Sequence, residues 1–191
     1  MTQLTDPSSH TSSAAGADTA STGTPSSASS SSGAAGTVAP VPPGYTSLTP
    51  FLCVRDGAAA IDFYCRAFGA TLVSRMEGPG GTVAHAELDF GNGRLQLSDP
   101  MPDYGLVAPS GEDQVSRSTC LYLPDVDAVT ARAVELGATL REPPSTFVTG
   151  DRFASVLDPF GHRWAIMTRV EDVSAEEQER RLAEWASSEL G

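Results

Sequence analysis

His85 and Glu87 stand two residues apart in Val83-Ala84-His85-Ala86-Glu87-Leu88. Alternate side chains of a strand share a face, so imidazole and carboxylate point the same way. A histidine oriented by a carboxylate can give and take protons near neutral pH. The same pair also suits a surface or a buried polar network with no chemistry. Of the three histidines, His10 lies near the N-terminus and His162 lies in the turn Gly161-His162-Arg163, where a structural role competes with a functional one. Arg152 follows Asp151 at the start of a strand. It could bind a carboxylate or phosphate bidentately, or pair with Asp151 or Asp158. Cys53, Cys65 and Cys120 are odd in number, widely spaced and without a CxxC pair, which argues against a disulfide framework or zinc knuckle. All three fall in expected strands or helices, where they read as small buried apolar side chains. No GxSxG, P-loop, dinucleotide-binding fingerprint or HExxH occurs.

These residues sit in a repeat. Val54-Arg55-Asp56 leads into an amphipathic stretch ending in Gly69-Ala70-Thr71-Leu72; Leu123-Pro124-Asp125 leads into another ending in Gly137-Ala138-Thr139-Leu140. Asp89-Phe90-Gly91-Asn92-Gly93-Arg94 is echoed by Asp158-Pro159-Phe160-Gly161-His162-Arg163. The offsets are 69 (Asp56 to Asp125), 68 (Gly69 to Gly137) and 69 (Asp89 to Asp158). Such agreement implies two copies of one supersecondary unit.

The unit reads as βαβββ. A strand is expected over 46–54, then a helix capped by Asp56, with Ile61, Tyr64, Cys65 and Phe68 as its apolar stripe and Gly69 closing it. Strands follow over 72–77, 83–90 and 94–98, the first pair joined by Gly78-Pro79-Gly80-Gly81 and the second by a Gly-Asn-Gly turn. The second copy gives a strand over 116–123, a helix over 126–136 striped by Val126, Val129, Ala133 and Leu136, and strands over 140–148, 152–157 and 163–168. The link between copies, rich in Pro and Gly, could fold over a ligand as a lid. Ser174 with Glu177 forms a capping box for a last helix, whose Leu182 and Trp185 should dock on its own domain or on a partner subunit.

Residues 1–40 are mostly Ser, Thr, Ala and Gly, with no Lys or Arg, and are expected to be a disordered tail. The start lacks a basic region followed by an apolar run, so a cytoplasmic protein is expected. No apolar run is long enough to span a membrane. A net charge of −12 and a pI near 4.5 disfavour nucleic-acid and membrane-surface partners.

Tandem βαβββ units are the architecture of the vicinal oxygen chelate superfamily, the glyoxalase and bleomycin-resistance group. Ala58-Ala59-Ala60-Ile61-Asp62-Phe63-Tyr64-Cys65-Arg66-Ala67-Phe68-Gly69-Ala70 resembles its first-module helix signature. Val83 to Leu88, and Asp151-Arg152 with Asp158 to Trp164, resemble its PhnB-like branch. The resemblance covers residues 45 to 173. It implies two curled sheets that enclose a cavity, and often a homodimer. In metal-dependent members it implies four ligands, one from the first and one from the last strand of each module. Carried onto this chain, those positions are Thr49, Gln96, Ser118 (Thr119 if the register slips by one) and Ala165. Only Gln96 is a plausible ligand, so neither metal nor other cofactor is expected. Phe51, Arg163 and Met167 share the parity of cavity residues, whereas Trp164 has the opposite parity and belongs to the core.

The expected organisation is therefore α+β: a tail (1–40), a domain (41–173) with module one (45–99), linker (100–114) and module two (115–170), and a closing helix (174–191). The expected function is metal-free binding of a small, mostly apolar or aromatic molecule through Thr49, Phe51, Gln96, Ser118, Arg152, Arg163, Ala165 and Met167. The alternatives are an enzyme (lyase, isomerase or dioxygenase), using His85 and Glu87 or a non-standard metal set, and an interaction module whose cavity is filled by side chains.

Overall fold

The structure is a computed structural model, and it describes residues 38–111 and 115–189. The expected tail therefore lies, apart from residues 38–40, outside the described residues. The first unit runs β1 (Phe51–Cys53), α1 (Gly57–Phe68), β2 (Thr71–Glu77), β3 (Val83–Asp89) and β4 (Arg94–Ser98). The second runs β5 (Ser118–Tyr122), α2 (Val126–Glu135), β6 (Thr139–Thr146), β7 (Asp151–Leu157) and β8 (Arg163–Arg169), and α3 (Ala175–Glu189) follows. The two sheets have the same order, β1-β4-β3-β2 and β5-β8-β7-β6, with the first strand parallel to the last in each. Phe51 pairs with Gln96 and Cys120 pairs with Ala165, so the 69-residue repeat extends to the backbone register.

Local chemistry explains the elements. The Asp56 and Asp125 carboxylates accept from Ala59 N (2.9 Å) and Ala128 N (3.0 Å), capping α1 and α2 alike. Gly69 ends α1 in the left-handed conformation, φ 76°. β1 is shorter than the expected strand over 46–54. Pro50 has no N–H for a ladder, and ahead of it Thr46 and Thr49 donate their hydroxyls into a local turn, at Leu48 O (2.6 Å) and Thr46 O (3.2 Å). β2 and β6, the outer strands, are interrupted by bulges, which blunts their free edges.

Each sheet lays one face on its helix. Leu52, Ala86, Leu88, Leu95 and Leu97 bury against Ala60, Ile61, Tyr64 and Phe68; Ala154, Val156 and Ile166 bury against Val126, Val129 and Ala133. The expected stripe of α1 is wider than the spacing implied, since Phe63 and Ala67 are buried and Cys65 only half so. The modules join on this helix side. Trp164 of β8 lies 4.8 Å from Phe68 and 5.3 Å from Tyr64, ring centre to ring centre. Asp158 accepts from Tyr64 Oη (2.7 Å) and Trp164 Nε1 (2.8 Å), while Arg132 Nε donates to Ala67 O (2.8 Å).

The closing helix docks on its own domain. Trp185 meets Phe147 edge-on at 5.2 Å, and Arg181 clamps Glu171 with two bonds of 2.8 Å. Ser174 Oγ accepts from Glu177 N (3.3 Å), one half of the expected capping box; the Glu177 carboxylate turns to Arg180 and Arg181 instead. No helix among the described residues is long and apolar enough to cross a membrane.

Candidate functional site

Because strand side chains alternate, each sheet has a second face turned away from its helix. In module one this face carries Phe51, Gln96 and Glu87 in one cross-strand row, from the pairings Phe51–Gln96 and Gln96–Glu87. Glu87 anchors a polar cluster. Its carboxylate accepts from Arg94 Nη1 at 3.1 Å, and His85 Nε2 lies 3.6 Å away. A hydrogen bond from Tyr45 is the main cause holding the Glu87 carboxyl below the usual glutamate range; burial opposes it, and His85 and Arg94 add to it. Arg94 lies over the Tyr45 ring at 4.6 Å, and Phe51 and His85 are 6.0 Å apart, ring centre to ring centre. The structure thus joins the expected His85–Glu87 pair to Tyr45 and Arg94. The parity that Arg94 shares with Gln96 signals its place, whereas Tyr45 arrives through a loop and leaves no periodic trace.

In module two the open face carries Ser118, Cys120 and Tyr122 beside Arg163, Ala165 and Met167, with Ser155 and Phe153 next across. Arg163 donates from Nε to Ser155 Oγ (2.9 Å) and pairs with Glu142. Ala165 is buried, and Met167 lies between Tyr122 and Phe153. Thr119 pairs with Trp164 on the helix side, so Ser118 holds the register.

Three expectations are corrected. Arg152 does not border the open face. It alternates with Asp151 and Phe153, shares the helix side with Ala154 and Val156, and forks onto Asp127 of α2 at 2.6 and 2.7 Å. Neither Asp151 nor Asp158 is its partner, because α2 brings Asp127 over that side of the sheet. Thr49 lies before β1, outside the ladder, with its hydroxyl already given to Thr46 O. Cys120 is exposed, because β5 is an edge strand and this residue faces outward; Cys53 is buried as expected.

His162 is structural in its bonding. It is buried, and Nε2 lies 3.1 Å from Cys53 O. A carbonyl only accepts, so Nε2 carries the proton and ties module two to β1. Burial pushes this imidazole below its ordinary pKa, against the pull of Asp158, and so favours the neutral ring.

The residues at the four positions that bind metal in related folds do not fit a resident ion. A hydroxyl engaged in a turn (Thr49), an amide (Gln96), a second hydroxyl (Ser118) and a methyl (Ala165) offer no anionic or imidazole donor. Among the described residues no three His, Cys, Asp or Glu side chains gather as a metal site.

Comparison with known proteins follows the same lines. The family model described as "Glyoxalase/Bleomycin resistance protein/Dioxygenase superfamily" matches residues 45–166. An uncharacterized protein of Mycobacterium bovis is 36% identical over 134 residues, covering 69% of this chain and 88% of that protein. The crystal structure of TioX from Micromonospora sp. ML1 superposes with a TM-score of 0.53 at 27% identity, covering 65% of this chain and 98% of that one. A glyoxalase-related enzyme from Fulvimarina pelagi shares the fold at a TM-score of 0.52 and 23% identity, covering 68% and 93% of the two chains.

Proposed function

The chain belongs to the glyoxalase/bleomycin resistance protein/dioxygenase superfamily, and on that premise we propose that it binds a small, mostly apolar or aromatic molecule on its open sheet faces without a metal ion. One observation carries this reading: the open faces offer aromatic, thioether and neutral polar groups where a metal-dependent member needs cation ligands. Phe51, Phe153, Tyr122 and Met167 supply apolar contact. Gln96 and Ser118 supply neutral hydrogen-bonding groups. Glu87, Arg94, Arg163 and Glu142 are paired among themselves, so their charges are offset before a ligand arrives.

The open faces lie on the side away from the helices that join the modules, and Tyr122 and Met76 are each 58% exposed there. That exposure supports a second copy of the chain, placing one module opposite its partner's other module and enclosing the ligand. The motifs Val83 to Leu88 and Asp158 to Trp164 support placement in the PhnB-like branch. A cytoplasmic location is part of the same reading.

The test is titration with the apolar dye ANS, followed by displacement with a panel of aromatic compounds, in the wild type and in Phe51→Ala/Met167→Ala. The reading expects saturable dye binding that weakens several-fold in the double variant; equal binding by both proteins would overturn it. A second reading, a metal-free enzyme, is favoured by the His85–Glu87 approach at 3.6 Å beside Phe51. It expects a turnover that disappears in His85→Ala while dye binding persists.

A further inference from the structure

A cleft of about 230 Å³ lies between the loop before β1, the β3–β4 hairpin and the edge strand β5. All three segments are among the described residues. Leu48, Phe90, Leu121 and Trp164 give it aromatic and aliphatic walls. Phe90 and Trp164 form a stacked pair along one side, 6.2 Å from ring centre to ring centre and inclined by 27°. Leu48 is 83% exposed, apolar surface that an occupant would cover.

The other module shows what suits such a place. Gly93 and His162 stand 69 residues apart, each just before the arginine that opens the last strand of its module. The His162 ring is buried and reaches across to the edge strand β1, with Nε2 3.1 Å from Cys53 O. That carbonyl is on the outer side of β1 because backbone groups alternate sides along a parallel strand. Val54 N bonds to Ser98 O, so Val54 turns toward β4 and Cys53 turns away. In module one, Gly93 lines the cleft, and a Cβ there would meet no described atom within 4 Å. The imidazole of module two therefore has no counterpart, yet the facing strand is prepared in the same way. Leu123 N bonds to Met167 O, so Leu123 and Leu121 turn toward β8, and Cys120 turns its N–H and C=O to the outer side of β5. Cys120 is part of the cleft wall.

The cleft is thus a slot for a flat ring, with a hydrogen-bond acceptor at its edge. We propose that it is a second binding site, separate from the open faces, for a small planar heteroaromatic molecule whose ring N–H donates to the Cys120 carbonyl. The ligand takes the place that the His162 ring takes in module two. The volume lies below the roughly 300–1,000 Å³ of drug-sized pockets, which limits the occupant to one or two rings.

The test is titration of the isotope-labelled full chain with benzimidazole, followed by amide and indole N–H shifts in two-dimensional NMR. Saturable shifts centred on Gly93, Cys120 and the Trp164 indole support the site. N-methylbenzimidazole keeps the rings and loses the donor, so it should bind about fivefold more weakly or worse, the scale of one neutral hydrogen bond. Asn92→Trp and Thr119→Trp each put an indole into the cleft, one from the exposed hairpin turn and one from the edge strand. Each should weaken benzimidazole by about tenfold or more. Benzimidazole should bind Phe51→Ala/Met167→Ala as it binds the wild type, since neither residue lines the cleft. Four results would each overturn the proposal: no saturation, equal binding of the methylated ring, full binding in both tryptophan variants, or loss of binding in Phe51→Ala/Met167→Ala.

Discussion

Asp158→Asn should be among the most damaging single-atom changes available in this chain. Asp158 is 3% exposed, and its two oxygens accept four bonds: Tyr64 Oη (2.7 Å) and Trp164 Nε1 (2.8 Å) on one, Phe160 N (2.9 Å) and His162 N (2.8 Å) on the other. An asparagine must aim its NH₂ group at one of these pairs. Toward the backbone, two buried N–H groups lose their acceptor. Toward the rings, the Tyr64 hydroxyl can rotate to accept, but Trp164 Nε1 cannot. The cheaper choice therefore orphans one indole N–H and removes the charge from the other bonds, a cost of about 2–4 kcal/mol. Urea unfolding followed by fluorescence should show the midpoint falling by about 1–2 M, for a slope of about 2 kcal/mol/M. The repeat provides its own control. Asp89, 69 residues earlier, receives only Gly91 N (2.6 Å) and is not buried, so Asp89→Asn should cost about 1 kcal/mol or less. Equal midpoints for the two variants would refute the view that Asp158 bolts the modules together.

Three further outcomes follow from the same geometry. Glu87 is depressed in the folded state relative to the usual value of 4.5, so its contribution is present above that value and lost as pH falls through the lower folded pKa. Glu87→Gln should therefore flatten the acid limb of the stability curve below about pH 4.5 and leave its slope near pH 7 unaltered, as read by urea midpoints. Trp185→Ala removes the contact with Phe147 and should speed amide exchange across 175–189 by about tenfold or more, with the two modules unaffected; uniform exchange would show that the helix is held elsewhere. Arg152→Ala breaks an exposed pair with Asp127 and a long bond to Thr146 Oγ1 (3.4 Å), so the urea midpoint should barely move and ANS affinity should be unchanged; weakened dye binding would return Arg152 to the ligand site.

The repeat was legible because it is written in short-range chemistry. Capping aspartates, a left-handed glycine and period-2 alternation recur at fixed offsets; the family resemblance pointed to Gln96, Ser118 and Ala165, and strand parity added Phe51, Arg163 and Met167, all of which lie on the open faces. Failures came where one residue outweighed the pattern. Pro50 ended β1 before Thr49, and Arg152 was read from its neighbour Asp151 rather than from its alternation with Ala154. Tyr45 lies in a loop, where no periodicity marks a side chain's destination, and its convergence on Glu87 is a product of tertiary packing.

The central claim is that the open faces are chemically unfit to hold a metal yet fit to hold an apolar ligand. Elemental analysis of the purified protein after incubation with zinc, nickel, manganese and iron salts, then desalting, tests it directly. The account predicts no metal in stoichiometric amount and ANS affinity indifferent to a chelator. One tightly held equivalent that disappears in Gln96→Ala would contradict it.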